Sequence, residues 1–522
     1  MMKSAERLST ARTWLYRLNG FGGVVFFLAI SYVNATTYYV ATTGSNTASG
    51  NITQPFATLQ KGHDVAVAGD TVFIRGGTYS ITTPANSGAG ISITKSGTSD
   101  SKRIYFWAYP GEVPVFDFSK MTISGSGYTH GFVISGSYLH FKGIEEKGVP
   151  MNTSSNNGVM VDGASHDIFE LMNMHHNCGN GIFIANGTGG HLVLNCDAHE
   201  NYDPGSTKGA GQNADGFGVH YQKSGDTTIL RGCRSWWNSD DGFDCINQSV
   251  AVRIENCWNS LSGYVPGTMT PATSGNGNGF KVGGFDMPPT KYPAVIPHHV
   301  VTNCVGFLCK AAGFYQNHQL GPSYFYNNTS YNNKGGDFNM LGYDLATGAG
   351  VGMGIYRNNV AYLGTATSNS TGADASFNSW DISGLTVAAS DFVSTDTAGM
   401  YGPRKANGNL PDVKFMHLAA GSKLIDKGTN VGLPYTGAAP DLGAFEYGAT
   451  TIEQTPPQTA FNPAIAVRTG PELKLEGLAR SGKPGVDKGQ TALYSVTGQR
   501  IYPNRSENTG IFIEKRLTGG IR

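Results

Sequence analysis

Three carboxylates fall within five residues in RSWWNSDDGFD, at Asp240, Asp241 and Asp244. A fourth, Asp215, lies in NADGF, and Lys281 ends GNGFK. The chain is only 14% charged, so this concentration needs a physical reason. Two carboxylates about 5 Å apart repel by roughly 3 kcal/mol at an effective dielectric near 20, and four on one patch cost several times that unless a cation sits among them. Hard oxygen ligands favour Ca2+, which takes roughly six to eight oxygens. The four aspartates can supply part of that shell, and water or a ligand carboxylate the rest. Beside a divalent cation a lysine loses some preference for its charged form, so a neutral amine becomes available as a base at alkaline pH. The plainer alternative is that each Asp caps a turn and the lysine is a solvated surface residue.

What brings these residues together is a repeat. A small or polar residue, then Gly, then an apolar residue recurs at Asn157, Asn180, Asp215, Asp241, Asn278 and Ala312, with a degenerate copy at Gly336. A second signature closes a short apolar run at Asn173, Cys196, Cys233, Cys257, Cys304, Asn328 and Asn359. The two alternate, and the unit is 23 or 24 residues, with insertions such as ENYDPGSTKGAGQ, LSGYVPGTMTPATSG and DMPPTKYPAVIP. Runs such as GIFIANG and VRIENCW lack helical periodicity. Short strands with Gly/Asn corners at this stride predict an all-β chain wound as a parallel β-helix, each repeat one coil stacked on the last. Registering coils by their Gly-apolar corner puts Asp215 and Asp241 at one position of consecutive coils. Asp244 then lies directly beneath Lys281, and Tyr315 follows in the same column. Cys196, Cys233, Cys257 and Cys304 are expected as an inward ladder with Asn173, Asn328 and Asn359. Buried thiols are the expected state, although neighbouring coils are close enough for a disulfide on distance alone.

Composition agrees. Gly numbers 72, Tyr 25 and Phe 26, as expected for many corners and short strands, and the net charge of zero gives no global field for nucleic acid or an anionic membrane. Lys3, Arg7, Arg12 and Arg17 precede FGGVVFFLAI and SYVNA, the order of a secretory signal peptide over 1–35, cleaved after Ala35. The apolar run is short for a membrane anchor. The chain is therefore expected to be exported.

The motifs NADGF, RSWWNSDDGFD and GNGFK together resemble polysaccharide lyase family 9, the Ca2+-dependent pectate lyases and exopolygalacturonate lyases. The similarity runs from about Tyr38 to Tyr447 and includes YYVATTGS near the start and DLGAFEYG near the end. The resemblance implies a right-handed parallel β-helix of the pectin-lyase-like kind over 36–448. It implies calcium ligands at Asp215, Asp240, Asp241 and Asp244, a catalytic base at Lys281, and a monomer acting on an acidic polysaccharide such as pectate. The implied chemistry is β-elimination, in which the base removes the C5 proton of a galacturonate unit and the C4 oxygen leaves. His220, Lys310 and Tyr315 are expected as sugar contacts. Lyases of this kind also attack rhamnogalacturonan and other uronate polymers, and endo or exo action stays open. A polygalacturonase-like hydrolase would use one carboxylic acid and one carboxylate without metal, leaving the lysine and two acids unexplained. An adhesin stabilised by calcium would explain the acids but not Lys281.

Past Tyr447 the repeat stops. Residues 449–470 read as a Thr/Pro/Ala linker. In 471–522, TALYSVTGQRI and GIFIEK resemble the C-terminal sorting domain of the type IX secretion route, with a small carbohydrate-binding appendage as the competing reading.

Overall fold

The computed structural model describes residues 35–125 and 127–449. The expected leader, linker and C-terminal appendage lie outside these residues, apart from Ala35 and Ala449 at their edges.

A full coil is built from three short strands that turn a corner before each can lengthen. In one coil these are Thr228–Arg231, Arg234–Trp236 and Phe243–Cys245. Each strand pairs in parallel with its equivalent in the next coil, giving sheets of twelve, ten and ten strands. Among the described strands the one antiparallel pair is Leu341–Asp344 with Ala349–Gly352. The stride is visible in the register, where Ile168 pairs with Leu192 and Thr228 with Val252. This is the parallel β-helix expected from the repeat.

The signatures have distinct physical jobs. The apolar residue after each Gly points inward, and Phe217, Phe243, Phe280, Phe314 and Phe338 stack along the axis at 4.8–4.9 Å between centroids. Such pairs add about 0.5–1.5 kcal/mol beyond the area they bury. The Gly itself is forced by space: a Cβ on Gly279 would lie 2.5 Å from the Gly313 carbonyl oxygen of the next coil. At the other corner the thiols accept from the coil before: the Cys233 N–H points to Cys257 Sγ and the Cys257 N–H to Cys304 Sγ, both at 3.4 Å. Asn328 and Asn359 continue this column, taking the N–H of Cys304 and of Asn328 at 3.0 Å. All seven cysteines are free thiols.

Asn173 is a correction. It pairs with Asp197 on the outward face, and Met172 takes the inward place, donating its N–H to Cys196 Sγ. A one-residue offset within the repeat turns a strand side chain to the other face.

The ends are closed differently. The helix Leu59–Val65 is capped by Thr58, whose hydroxyl accepts from the Lys61 N–H, and it buries Leu59, Gly62 and His63 at the first coils. The chain after the last strand runs along the outside of one ten-stranded sheet. There Phe392, Met400, Phe415 and Leu418 pack on Trp258, Val305, Phe307 and Val360. Arg404 fixes this strap by an ion pair of 2.6 Å with Asp197. No helix among the described residues is long and apolar enough to cross a membrane.

Candidate active site

The site lies on the other ten-stranded sheet. Its strands Phe217–His220, Phe243–Cys245 and Phe280–Val282 stack as three successive coils. Inward Phe and outward polar residues alternate, so Gly218, Asp244, Lys281 and Tyr315 form one outward column in register. A Cβ at Gly218 would collide with the amide of Asn180 and the ring of Phe183, so only glycine fits beside Asp244 at this place in the column.

The corner position makes a second column. The side-chain oxygen of each corner residue accepts the backbone N–H of the next: Asn180 from Asp215 at 3.1 Å, Asp215 from Asp241 at 3.0 Å, and Asp241 from Asn278 at 2.6 Å. Asp215 and Asp241 therefore do cap corners with one oxygen, as the plainer reading had it, and keep the other for a different partner. Asp240 is held by Asn276 through its N–H at 2.6 Å and its amide at 3.0 Å. Asn278 adds its own amide to Asp241 at 2.9 Å. The repeat marks Asn180 and Asn278 only as corner residues and does not single out Asn276, yet all three position the aspartates. GNGNG carried the signal, since Asn two residues apart at a corner can reach both aspartates of the coil below.

All four aspartates are buried. Lys281 Nζ stands 2.9 Å from Asp244 Oδ2 and 3.0 Å from Asp241 Oδ2. His220 Nε2 lies 3.5 Å from Asp244 Oδ2. Burial, then the neighbouring carboxylates, pushes Asp215 and Asp240 well above the usual range. Burial also acts on Asp244, but Lys281 and His220 outweigh it and draw that carboxyl down to about 2. For Lys281, burial favours the neutral amine, and the four carboxylates outweigh it and hold the ammonium well above its ordinary value.

Two overlapping sets have the spacing for a metal ion: Asp215, Asp240 and Asp241, and Asp215, His220 and Asp244, with ligand atoms in each set within 4.8 Å of one another. Asp215 is common to both. Asp244 Oδ1 is buried and accepts no hydrogen bond, an orphan that a cation would satisfy. An all-oxygen donor set of four acids suits a hard divalent cation.

The three residues expected to touch sugar diverge. His220 is in the acidic cluster, edge-on to Phe183 at 4.8 Å. Tyr315 follows Lys281 along the column, its hydroxyl 3.0 Å from His318 Nδ1. Lys310 instead donates to the carbonyls of Ala272 and Gly275 at 2.9 and 2.7 Å. Its ammonium tethers an insertion beside the site.

A family model described as Pel9A-like, right handed beta helix region, matches residues 38–359. The chain is 38% identical over 413 residues to Pectate lyase L of Dickeya chrysanthemi, covering 78% of this chain and 90% of the relative. It is 31% identical over 427 residues to Pectate lyase PEL9 of Emericella nidulans, covering 77% and 96%. Among solved structures it superposes on pectate lyase Pel9A with a TM-score of 0.64 at 35% identity, covering 79% of this chain and 96% of that one. A structure titled Rhamnogalacturonan lyase superposes with a TM-score of 0.68, also at 35% identity, covering 75% and 98%.

Proposed function

The chain belongs to the Pel9A-like right-handed β-helix family, and from that premise we propose that it is an exported pectate lyase whose base is Lys281 and whose resident metal is Ca2+. The observation that carries the residue assignment is the convergence of Asp215, Asp240, Asp241 and Asp244 on one buried patch with the Lys281 amine in contact with two of them. Asp215, Asp240, Asp241 and Asp244 would hold the ion. When bound, calcium would neutralise these acids and draw electron density from a uronate carboxylate, acidifying the C5 proton.

The remaining work falls to the chain. In its neutral form, which rising pH makes available, Lys281 Nζ takes the proton from C5 and the electron pair forms the C4–C5 double bond. The C4–O bond breaks, and the departing oxygen of the neighbouring sugar takes a proton from water. Asp241 and Asp244 aim the amine, and the Asn180, Asn276 and Asn278 bonds hold the aspartates so that they need not reorganise. A metal-free hydrolase accounts for neither the amine nor the number of acids, and an adhesin leaves the amine idle. The leader motif and the polymeric substrate both support export.

The similarity to a rhamnogalacturonan lyase favours a second substrate reading, with the same elimination on a backbone of alternating uronate and rhamnose. The test is incubation with polygalacturonate and, separately, rhamnogalacturonan, each with and without a chelator, following ultraviolet absorbance of the unsaturated product. Absorbance that rises on polygalacturonate and vanishes with chelator is expected. New reducing ends without absorbance would sink the lyase assignment.

A further inference from the structure

The outer face of the twelve-stranded sheet carries aromatic rings in its first coils that the elimination does not use. Tyr39 pairs in register with Phe73, Phe73 with Trp107, and Trp107 with Lys142, so these side chains form one outward column. Ring centroids are 5.8 Å apart from Tyr39 to Phe73 and 6.2 Å from Phe73 to Trp107. Tyr105 meets Trp107 edge-on at 4.9 Å, and Tyr109 meets Phe73 at 5.9 Å. All five rings are half-buried. The core of these coils does not need them, since Val40, Val72, Phe106 and Phe141 fill the inner side. Further along the same column the residues become Glu170, Leu194 and Arg231, so the rings form a bounded patch. A cation stands at each end: Arg75 lies 4.6 Å over the Tyr109 ring, and Lys142 5.9 Å from the Trp107 ring.

We propose that this face is a second polysaccharide-binding surface, which holds a uronate polymer away from the cleft. The ligand class rests on the proposed activity; the surface itself rests on the rings. Clustered aromatic area at a half-exposed face marks an interaction site. The C–H faces of pyranose rings fit flat aromatic surfaces. Strands about 4.8 Å apart space the rings by a distance comparable to one sugar unit. Arg75 and Lys142 give the face its preference for an anionic chain. Each is paired, to Glu112 at 2.7 Å and to Glu170 at 2.8 Å, yet their side chains are 37% and 42% exposed and keep donor directions free for a uronate carboxylate.

The experiment uses the full chain and cross-linked, insoluble polygalacturonate in excess chelator, so that retention is read without cleavage. Trp107→Ala is expected to weaken retention about tenfold or more, as for an aromatic anchor, while kcat and KM on short soluble oligogalacturonates stay at wild-type values. The double variant Arg75→Gln/Lys142→Gln, which leaves the rings in place, is expected to weaken retention and flatten its salt dependence, and it decides the matter should Trp107→Ala fail to fold. Retention within about twofold of wild type in the folded variants overturns the proposal. So does an altered oligomeric state with unchanged retention, which would assign the face to a second copy of the chain. Wild-type product formation is the separate control: its absence overturns the activity and the ligand class with it, whereas its presence with unaltered retention overturns the second surface alone.

Discussion

Lys281 is both the proposed base and, at 2.9 and 3.0 Å, the ammonium partner of two buried aspartates. These roles separate on mutation. Lys281→Ala is expected to abolish unsaturated product, with calcium affinity by isothermal titration undiminished because the amine is not a ligand. In chelator the same variant should lose about 3 kcal/mol in urea unfolding, since buried carboxylates are left without their ammonium partner. Calcium should then restore more stability to the variant than it adds to wild type. Full turnover in Lys281→Ala would remove the residue from the mechanism.

A corner of the coil is the next scale, and there one aspartate serves two structures. Asp241 Oδ1 accepts the Asn278 N–H and amide, while Oδ2 faces Lys281. Asp241→Asn keeps an oxygen for the ladder and loses the charge; Asp241→Ala loses both and strands a buried N–H. Both variants should be inactive. In chelator the alanine variant should be less stable than the asparagine variant by about 1–3 kcal/mol, the cost of an unsatisfied buried donor. Equal urea midpoints would show that the corner bond is not a stability element. The Cys and Asn columns follow the same logic, each side chain accepting from the neighbouring coil and so linking coils that are otherwise joined only through their sheets.

At the scale of the molecule, histidines serve as ladder acceptors too. His299 Nδ1 accepts the Val252 N–H at 3.1 Å and His191 Nδ1 the Asp167 N–H at 3.3 Å, so both rings must be neutral there. Burial lowers His191 from 6.5 to about 4 and His299 to about 3. Asp167 gives His191 little countercharge, because burial pushes its own carboxyl up. Between the folded values and 6.5 the unfolded chain binds more protons. The contribution of each histidine is therefore complete above about 6.5 and drains as pH falls toward 4, by about 3 kcal/mol. Urea unfolding at a series of pH values should show that loss. His299→Asn, which keeps an acceptor but not the proton site, should reduce the slope by about 1.4 kcal/mol per pH unit. An unchanged slope would clear His299 of the acid sensitivity.

The stride of 23 or 24 residues, the Gly-apolar corner and the Asp and Lys positions were legible in the chain because a solenoid converts sequence spacing directly into spatial stacking. That is why the repeat alone makes neighbours of Asp244 and Lys281, far apart in the chain. Facing was less secure: Asn173 and Met172 differ by one position, and only packing decides which of two adjacent residues turns inward. Contacts made by insertions were not legible either, because a loop outside the repeat has no register. Lys310, expected as a sugar contact, donates to the carbonyls of Ala272 and Gly275. The strap along one ten-stranded sheet and the bounded aromatic face likewise arise from which surfaces meet in three dimensions, a matter of burial rather than of periodicity.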